Sequence, residues 1–228
     1  MLRITGGVLG GRRIRAPEGA VRPTQERVRE ALFSMLGERV VGSRFLDLFG
    51  GSGAVGLEAW SRGAAAVCWV ERHPRVFAVL EANVKALCDG RIRLVRWEAL
   101  RFLEKGLETE PFDIIFADPP YEKGPLGNRE GRHSGRGRKE RRGGTWAGTD
   151  SGETWAERRR GSEGRVQGAG GGWEQRLAEA LRGNPILAAG GLLAVELAAG
   201  EPVVERHGWA VLNDRVYGDS RLRILQRR

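Results

Sequence analysis

Short apolar runs alternate with amphipathic segments along this 228-residue chain, and this alternation is the feature that most constrains its fold. Strands that alternate with helices form a mostly parallel sheet with helices on both faces. We therefore predict a single α/β domain over residues 1–228. The pattern predicts strands near residues 44–49, 66–71, 91–96, 112–117 and 191–197, and helices near 25–37, 54–62, 74–88 and 175–188.

The two ends of the chain add elements to this core. Residues 3–5 and 12–15, separated by glycines, predict an N-terminal β-hairpin, so residues 1–40 would form a hairpin and a helix. Thr24 is the expected N-cap of that helix. Its apolar stripe consists of Val28, Leu32, Met35 and Leu36. Two more strands are expected between residues 203 and 228, with a turn at Tyr217-Gly218.

Residues 125–172 interrupt the pattern with a segment rich in Gly, Arg, Ser and Glu. Such a composition cannot bury enough apolar surface to offset the entropy of ordering, so we predict a disordered basic insertion. Eleven arginines and lysines against six acids give it five of the nine net positive charges of the chain. It is expected to be a solvated loop or, alternatively, an RNA-contacting tail.

The overall composition limits the class of protein. A net charge of +9 and a pI near 10.6 indicate a polyanionic partner. No run approaches the roughly 20 apolar residues of a membrane span, and the N-terminus lacks the apolar core of a signal peptide. Cys68 and Cys88 fall in a predicted strand and at a helix end without a His/Cys cluster, so we expect neither a disulfide framework nor a metal site. We expect a cytoplasmic monomer.

A glycine turn follows the strand that ends near Asp47. Gly50, Gly51 and Gly53 permit positive φ and close backbone approach to a ligand, and the helix after Gly53 would present its N–H groups to an anion. The spacing matches neither the dinucleotide fingerprint nor a P-loop. The next strand ends in Glu71, where an acid can accept both ribose hydroxyls of a nucleoside.

A second turn, Asp118-Pro119-Pro120-Tyr121, follows the apolar strand 112–117. The Asp118 carboxylate and the Pro119 carbonyl can accept the two N–H bonds of an exocyclic base amine, and the paired prolines fix the backbone. Tyr121 offers a flat face for stacking an unpaired base. Ligands of such sheets bind at the carboxyl ends of the strands, where both turns, Glu71 and Glu98 would meet.

Three motifs resemble those of the bacterial RsmD family: residues 22–33, beginning Arg22-Pro23-Thr24; residues 47–59, containing the glycine turn; and residues 118–121. The resemblance covers residues 1–122 and about 174–228. It implies a Rossmann-like S-adenosylmethionine-dependent methyltransferase that modifies the N2 amine of a guanine in small-subunit ribosomal RNA. The partner would be that RNA or a small-subunit assembly particle.

The resemblance also implies roles for individual residues. Contacts to S-adenosylmethionine would come from Asp47, Gly50, Gly51, Ser52, Gly53, Glu71, Glu98 and Ala99. The target guanine would be held by the catalytic residues Asp118, Pro119 and Tyr121, and RNA by Arg22, Thr24 and Arg27. Arg29 is expected on a solvated basic face. Two positions depart from the family pattern: Gly51 replaces a usual Ala, and Glu98-Ala99 replaces an Asp-Ala or Asn-Ala pair.

Two other functions fit part of the pattern. DNA adenine methyltransferases also carry Asp-Pro-Pro-Tyr, but they commonly have a packed target-recognition region, and only the insertion leaves room for one. A non-enzymatic RNA-binding module would explain the positive charge, and it would bind no cofactor. An oxidoreductase is disfavoured because the dinucleotide fingerprint is missing.

Overall fold

The computed structural model describes residues 1–17, 23–105, 110–120, 172–201 and 208–228, with the backbone alone for 23–25. All of these belong to one unit formed by Met1–Tyr121 and Gly171–Arg228. Arg22, Tyr121, the side chain of Thr24 and nearly all of the insertion lie outside the described residues.

A hairpin precedes the main sheet, as predicted. Its two short antiparallel strands are β1 (Leu2–Arg3) and β2 (Arg13–Ile14). The seven strands of the main sheet are β3 (Arg44–Asp47), β4 (Ala66–Val70), β5 (Ile92–Val95), β6 (Phe112–Ala117), β7 (Leu187–Ala198), β8 (Trp209–Tyr217) and β9 (Ser220–Arg227).

The strand order is β5-β4-β3-β6-β7-β9-β8. Strands β3 to β7 are parallel, whereas β9 runs antiparallel to both β7 and β8. From β3 the chain proceeds outward through β4 to β5 and then returns to place β6 on the other side of β3. The carboxyl ends of β3 and β6 therefore flank the point where the strand order reverses, which is where open α/β sheets bind ligands.

Helices cover both faces of this sheet. They are α1 (Pro23–Leu36), α2 (Ala54–Ser61), α3 (Pro74–Leu87), α4 (Ala99–Lys105) and α5 (Trp173–Ala180), and a 3₁₀ turn (Gly37–Val40) follows α1. Successive strand residues point to opposite faces. Phe45 accordingly packs in the layer beneath α1, α2 and α3, whereas Leu46 packs in the layer beneath α4 and α5. The predicted α/β class, mostly parallel sheet, two helical layers and N-terminal hairpin are confirmed.

Several local predictions are wrong. Helix α1 begins at Pro23, which suits the first helical position, so Thr24 is inside the first turn and is not the N-cap. Helix α5 ends at Ala180 rather than at 188, because Gly183 is left-handed and Pro185 cannot continue a helix. Helix α4, of only seven residues, was not predicted.

The two cysteines lie where the sequence placed them, Cys68 in β4 and Cys88 directly after α3, and both are free thiols. Burial raises the pKa of each thiol to about 12. Across the described ranges, no helix is long and apolar enough to span a bilayer. No group of three or more His, Cys, Asp or Glu side chains within those ranges could hold a metal ion.

Candidate active site

A cavity of about 340 Å³ opens at the carboxyl ends of β3, β6 and β7. Its volume falls within the range of small-molecule sites, roughly 300–1,000 Å³. It brings together five of the residues that the sequence singled out: Asp47, Gly50, Gly51, Ser52 and Asp118. One wall is apolar and comes mainly from α1 and the neighbouring strands, with Val28, Leu32, Phe116 and Leu222.

The glycine turn forms part of the wall of this cavity, and its predicted contact to a cofactor stays a prediction. The Gly50 N–H donates to the Val70 carbonyl at 2.8 Å, which ties the turn to the end of β4. Gly51 and Gly53 have φ of +53° and +86°. The left-handed backbone favours glycine at Gly53, and a Cβ there would lie 2.8 Å from Leu80 Cδ1, which would have to move.

Asp47 is a deeply buried acid in the wall of this cavity. Its side chain is 1% exposed, and Oδ2 accepts the Gly56 N–H at 3.2 Å. Oδ1 is buried and has no hydrogen-bond partner in the described part of the chain. Burial raises the pKa of Asp47 to about 7, and the nearby Glu71 charge also raises it, against the opposing effect of the Gly56 and Phe49 N–H groups. An unsatisfied buried oxygen is costly and indicates a place for a donor or a cation.

Glu71 supports the glycine turn from the end of β4. Its Oε2 accepts the Gly51 N–H at 3.1 Å, and its Oε1 accepts the His73 N–H at 2.7 Å. Glu71 is half-buried and is not part of the described cavity wall. Each carboxylate oxygen can accept a second hydrogen bond, so the predicted ribose contact is compatible with this geometry and stays a prediction.

Glu98 and Ala99 lie at the start of α4, away from the described cavity wall. The Glu98 Oε2 accepts the Arg101 N–H at 2.8 Å, three residues on, so Glu98 caps α4. Ala99 is 4% exposed and packs in the layer beneath α4 and α5. The predicted contacts of both residues to the cofactor stay predictions.

Asp118 follows β6 directly and contributes to the cavity wall. It is half-buried, Pro119 is buried and Pro120 is exposed. Ala117 pairs with Val195 across the parallel strands β6 and β7. Asp118 and Glu196 each follow one residue later, and both contribute to the wall of this cavity.

The sequence analysis missed Glu196, which is 9% exposed and contributes to the same wall of the cavity. Its Oε1 accepts a hydrogen bond from Ser220 Oγ at 2.8 Å. A signal for it exists in the sequence, because Glu196 is a lone charge within the apolar run 192–197. Acids are almost never fully buried without a partner.

Arg29 corrects a prediction, because it is 4% exposed rather than solvated. Its guanidinium donates to the Glu58 carboxylate at 3.3 Å and to the Arg3 carbonyl, and Arg29 also contributes to the cavity wall. Burial alone would raise the pKa of Glu58, but hydrogen bonds from Thr5 and Arg62 and the charge of Arg29 hold it below its ordinary value. This cluster joins the hairpin, α1 and α2.

The remaining RNA-binding candidates lie on or before α1. Arg27 is exposed on α1, whereas Arg22 and the Thr24 side chain lie outside the described residues. Asn83 on α3 connects this end of the chain to the glycine turn. Its Nδ2 donates to the Ser52 and Arg15 carbonyls at 2.8 and 2.9 Å, and its Oδ1 accepts the Arg15 N–H at 3.0 Å. The segment after β2 is therefore held against the cavity.

Comparisons with known proteins relate this chain to a family of conserved proteins and to ribosomal RNA methyltransferases. The family model described as "Conserved hypothetical protein 95" matches residues 2–129. "Ribosomal RNA small subunit methyltransferase D" of Escherichia coli strain K12 is 42% identical over 127 residues, which are 55% of this chain and 63% of that protein. The protein of the same name from Buchnera aphidicola subsp. Acyrthosiphon pisum is 40% identical over 122 residues, which are 53% of this chain and 63% of that protein.

A solved structure resembles nearly the whole chain. "Putative methyltransferase yhhF from Escherichia coli" has a TM-score of 0.68 and 30% identity, and the alignment covers 99% of this chain and 97% of that one. This similarity confirms the predicted Rossmann-like methyltransferase fold. The matches to the two curated relatives span less than two thirds of their lengths. Because the family model matches more than half of its residues, the chain belongs to the family described as Conserved hypothetical protein 95, the RsmD family that its three motifs resemble.

Proposed function

We propose that this chain transfers a methyl group from S-adenosylmethionine to the exocyclic N2 amine of a guanine in small-subunit ribosomal RNA. One observation carries the proposal: a single cavity joins the glycine turn after β3 to Asp118 after β6. A methyl donor and an amine must meet at one place, and this cavity provides a wall suited to each. The names of the two curated relatives, both small-subunit ribosomal RNA methyltransferases, support the same activity.

The described residues fit the cofactor. When bound, S-adenosylmethionine supplies a methyl group activated by a positively charged sulfonium. Among the described lining residues, three are acids (Asp47, Asp118 and Glu196) and one is basic, Arg29, which is paired with Glu58. Of these groups, the buried Asp47 suits a cationic part of the ligand. Asp47 Oδ1, which is buried and unsatisfied, would accept a hydrogen bond from the cofactor's ammonium group.

The glycine turn would hold the rest of the cofactor's amino-acid end. Gly50, Gly51 and Ser52 belong to the cavity wall, and Gly53 ends the turn at the N-terminus of α2, which favours a carboxylate. Glu71 would accept the ribose hydroxyls, and Glu98 and Ala99 would contact the adenine from the adjacent strand end.

Asp118 and Pro119 would orient the target amine. Its lone pair is delocalised into the ring, so it attacks well only when held in line. The Asp118 carboxylate and the Pro119 carbonyl would accept its N–H bonds, and Asp118 is the group to which we assign the proton that the nitrogen loses. Tyr121 would stack on the base, and Arg22, Thr24 and Arg27 would contact the RNA.

The partner would be ribosomal RNA, either naked or in a small-subunit assembly particle, and the chain would act on it as a cytoplasmic monomer. Comparing ribosomal RNA from cells with and without this protein identifies the target. One N2-methylguanosine should disappear in its absence, and the purified protein should restore it. If no guanosine changes, or if another base does, the proposed substrate is wrong.

Asp118→Ala tests the residue assignment. The single-turnover rate should fall by about 10²–10³, the scale for losing one oriented polar group in an active site. Calorimetric affinity for S-adenosylmethionine should barely change, because Asp118 would face the base. Asp89→Ala, which removes an exposed acid outside the cavity wall, is the control and should behave as wild type. A folded Asp118→Ala protein that no longer binds the cofactor would move Asp118 into the cofactor site.

A further inference from the structure

We infer that Glu196 recognises the N1–H of the target guanine and so makes the site selective for guanine over adenine. This inference rests on the proposed function and adds the residue that selects the base. Asp118 and Pro119 by themselves recognise only an exocyclic amine, which adenine also has. A second acceptor beside them is needed to tell the two bases apart.

The sheet places that acceptor next to Asp118. Strands β6 and β7 are parallel, with Ala117 opposite Val195, so Asp118 and Glu196 are the next neighbours across strands about 4.8 Å apart. Ala194, two residues before Glu196, packs beneath α1, α2 and α3, and side chains two apart share a face. Both carboxylates belong to the wall of the same cavity.

Glu196 is also held in place. Ser220, itself 7% exposed, donates its hydroxyl to Glu196 Oε1 at 2.8 Å. Glu196 pairs with Leu222 on β9, and Leu222 and Phe116 provide apolar surface in the same cavity. A carboxylate offers about four lone-pair sites, so it can accept more than one hydrogen bond at a time. A fixed, buried acid in an apolar wall is costly for folding, which is a reason to expect a ligand-directed role.

The chemistry of guanine fits two adjacent acceptors. Its N1–H and N2 amine point the same way from one edge of the ring, so a carboxylate at N1 and another at N2 are matched together. Adenine has an unprotonated N1, whose lone pair would face the Glu196 carboxylate. Sites built to hydrogen-bond an N–H reject analogues that lack it far more strongly than apolar pockets reject a missing methylene. Bases taken out of a stack are commonly recognised through this edge.

The test uses 2-aminopurine, which keeps the amine at C2 but has no proton on N1. Small-subunit ribosomal RNA is assembled with guanine or 2-aminopurine at the position that the wild-type protein methylates. Wild type should methylate the 2-aminopurine RNA at least about 10²-fold more slowly in kcat/KM. Equal rates on the two RNAs would overturn the role of Glu196 and leave the proposed function standing.

Glu196→Gln tests whether Glu196 causes the preference for guanine RNA over 2-aminopurine RNA. The Gln amide can donate a hydrogen bond to the unprotonated N1 of 2-aminopurine. The variant should methylate guanine RNA about 10- to 100-fold more slowly than wild type, yet methylate 2-aminopurine RNA faster than wild type does. 2-Aminopurine also lacks the O6 of guanine, but this loss is the same for wild type and for the variant. A faster rate of Glu196→Gln on 2-aminopurine RNA therefore shows that residue 196 faces N1. Glu104→Gln, an exposed acid on α4, should match wild type on both RNAs.

Thermal unfolding and affinity for S-adenosylmethionine should be close to wild type for Glu196→Gln. If this variant does not fold, Glu196→Asp withdraws the same carboxylate by one methylene and should slow guanine methylation with cofactor affinity unchanged. A Glu196→Gln protein that is no faster than wild type on 2-aminopurine RNA overturns the inference. Failure of wild type to methylate guanine RNA would instead overturn the proposed function, and the role of Glu196 with it.

Discussion

Replacing Asp47 by Asn should stabilise the free protein at neutral and higher pH. Asn has the same shape and can still accept the Gly56 N–H, but it carries no charge. Burial raises the pKa of Asp47 from its ordinary value of 3.8 to about 7. Since each pKa unit corresponds to about 1.4 kcal/mol, the ionised carboxylate costs the folded state about 4 kcal/mol above pH 7.

The sign follows from proton binding. Between pH 4 and pH 7 the folded protein keeps a proton on Asp47 that the unfolded chain has released, so the contribution of Asp47 to the free energy of unfolding falls as pH rises. Asp47→Asn lacks this dependence. The variant's advantage over wild type should therefore grow by about 2–3 kcal/mol between pH 5 and pH 8, the greater part of the total. Urea unfolding followed by circular dichroism at several pH values measures it.

Cofactor binding should show the opposite effect. A cationic ammonium beside Asp47 favours the ionised carboxylate, so wild type should bind S-adenosylmethionine about tenfold more weakly for each pH unit below 7. Asp47→Asn should bind weakly without that dependence. Asp89→Asn, at an exposed position, should shift stability by no more than about 0.5 kcal/mol. Stability curves of wild type and Asp47→Asn that run parallel from pH 5 to pH 8 would show that burial does not perturb Asp47, and the argument would fail.

Three further changes test other parts of the molecule. Glu71→Ala should weaken S-adenosylmethionine binding about 10- to 150-fold by calorimetry, the value of a charged hydrogen bond, and an unchanged constant would limit Glu71 to holding the glycine turn. Glu58→Gln should cost about 3–5 kcal/mol in urea unfolding, because it leaves the buried Arg29 charge uncompensated; a loss below about 1 kcal/mol would contradict the buried pair. Replacing residues 125–172 by a short Gly-Ser linker should preserve the melting temperature and cofactor affinity, and should flatten the salt dependence of RNA binding by about 0.7 for each lost phosphate contact. Unfolding of that deletion variant would show instead that the segment packs into the core.

The sequence by itself determined the kind of sheet and the ends of its strands. Apolar runs with flanking glycine or proline locate β3 and β6, because backbone pattern and turn chemistry depend on neighbours along the chain. The sequence alone therefore places the glycine turn and Asp118 at one edge of the sheet. Helix α4 could not be predicted from the sequence, because seven residues carry too little periodicity to indicate a helix. Helix α5 ends early because the turn residues Gly183 and Pro185 outweigh the helical pattern that continues to residue 188.

The tertiary structure alone decided how the acids and cations are used. Arg29 looks like a solvated charge on an amphipathic helix, and only the packing of α1 against α2 buries it beside Glu58. The neighbouring positions of Asp118 and Glu196 follow from the register of β6 on β7, two strands separated by about 70 residues of chain. The raised pKa of Asp47 arises from desolvation by groups distant in sequence. The partner of a buried charge and the register of two strands are properties of segments brought together by folding, so no local pattern can contain them.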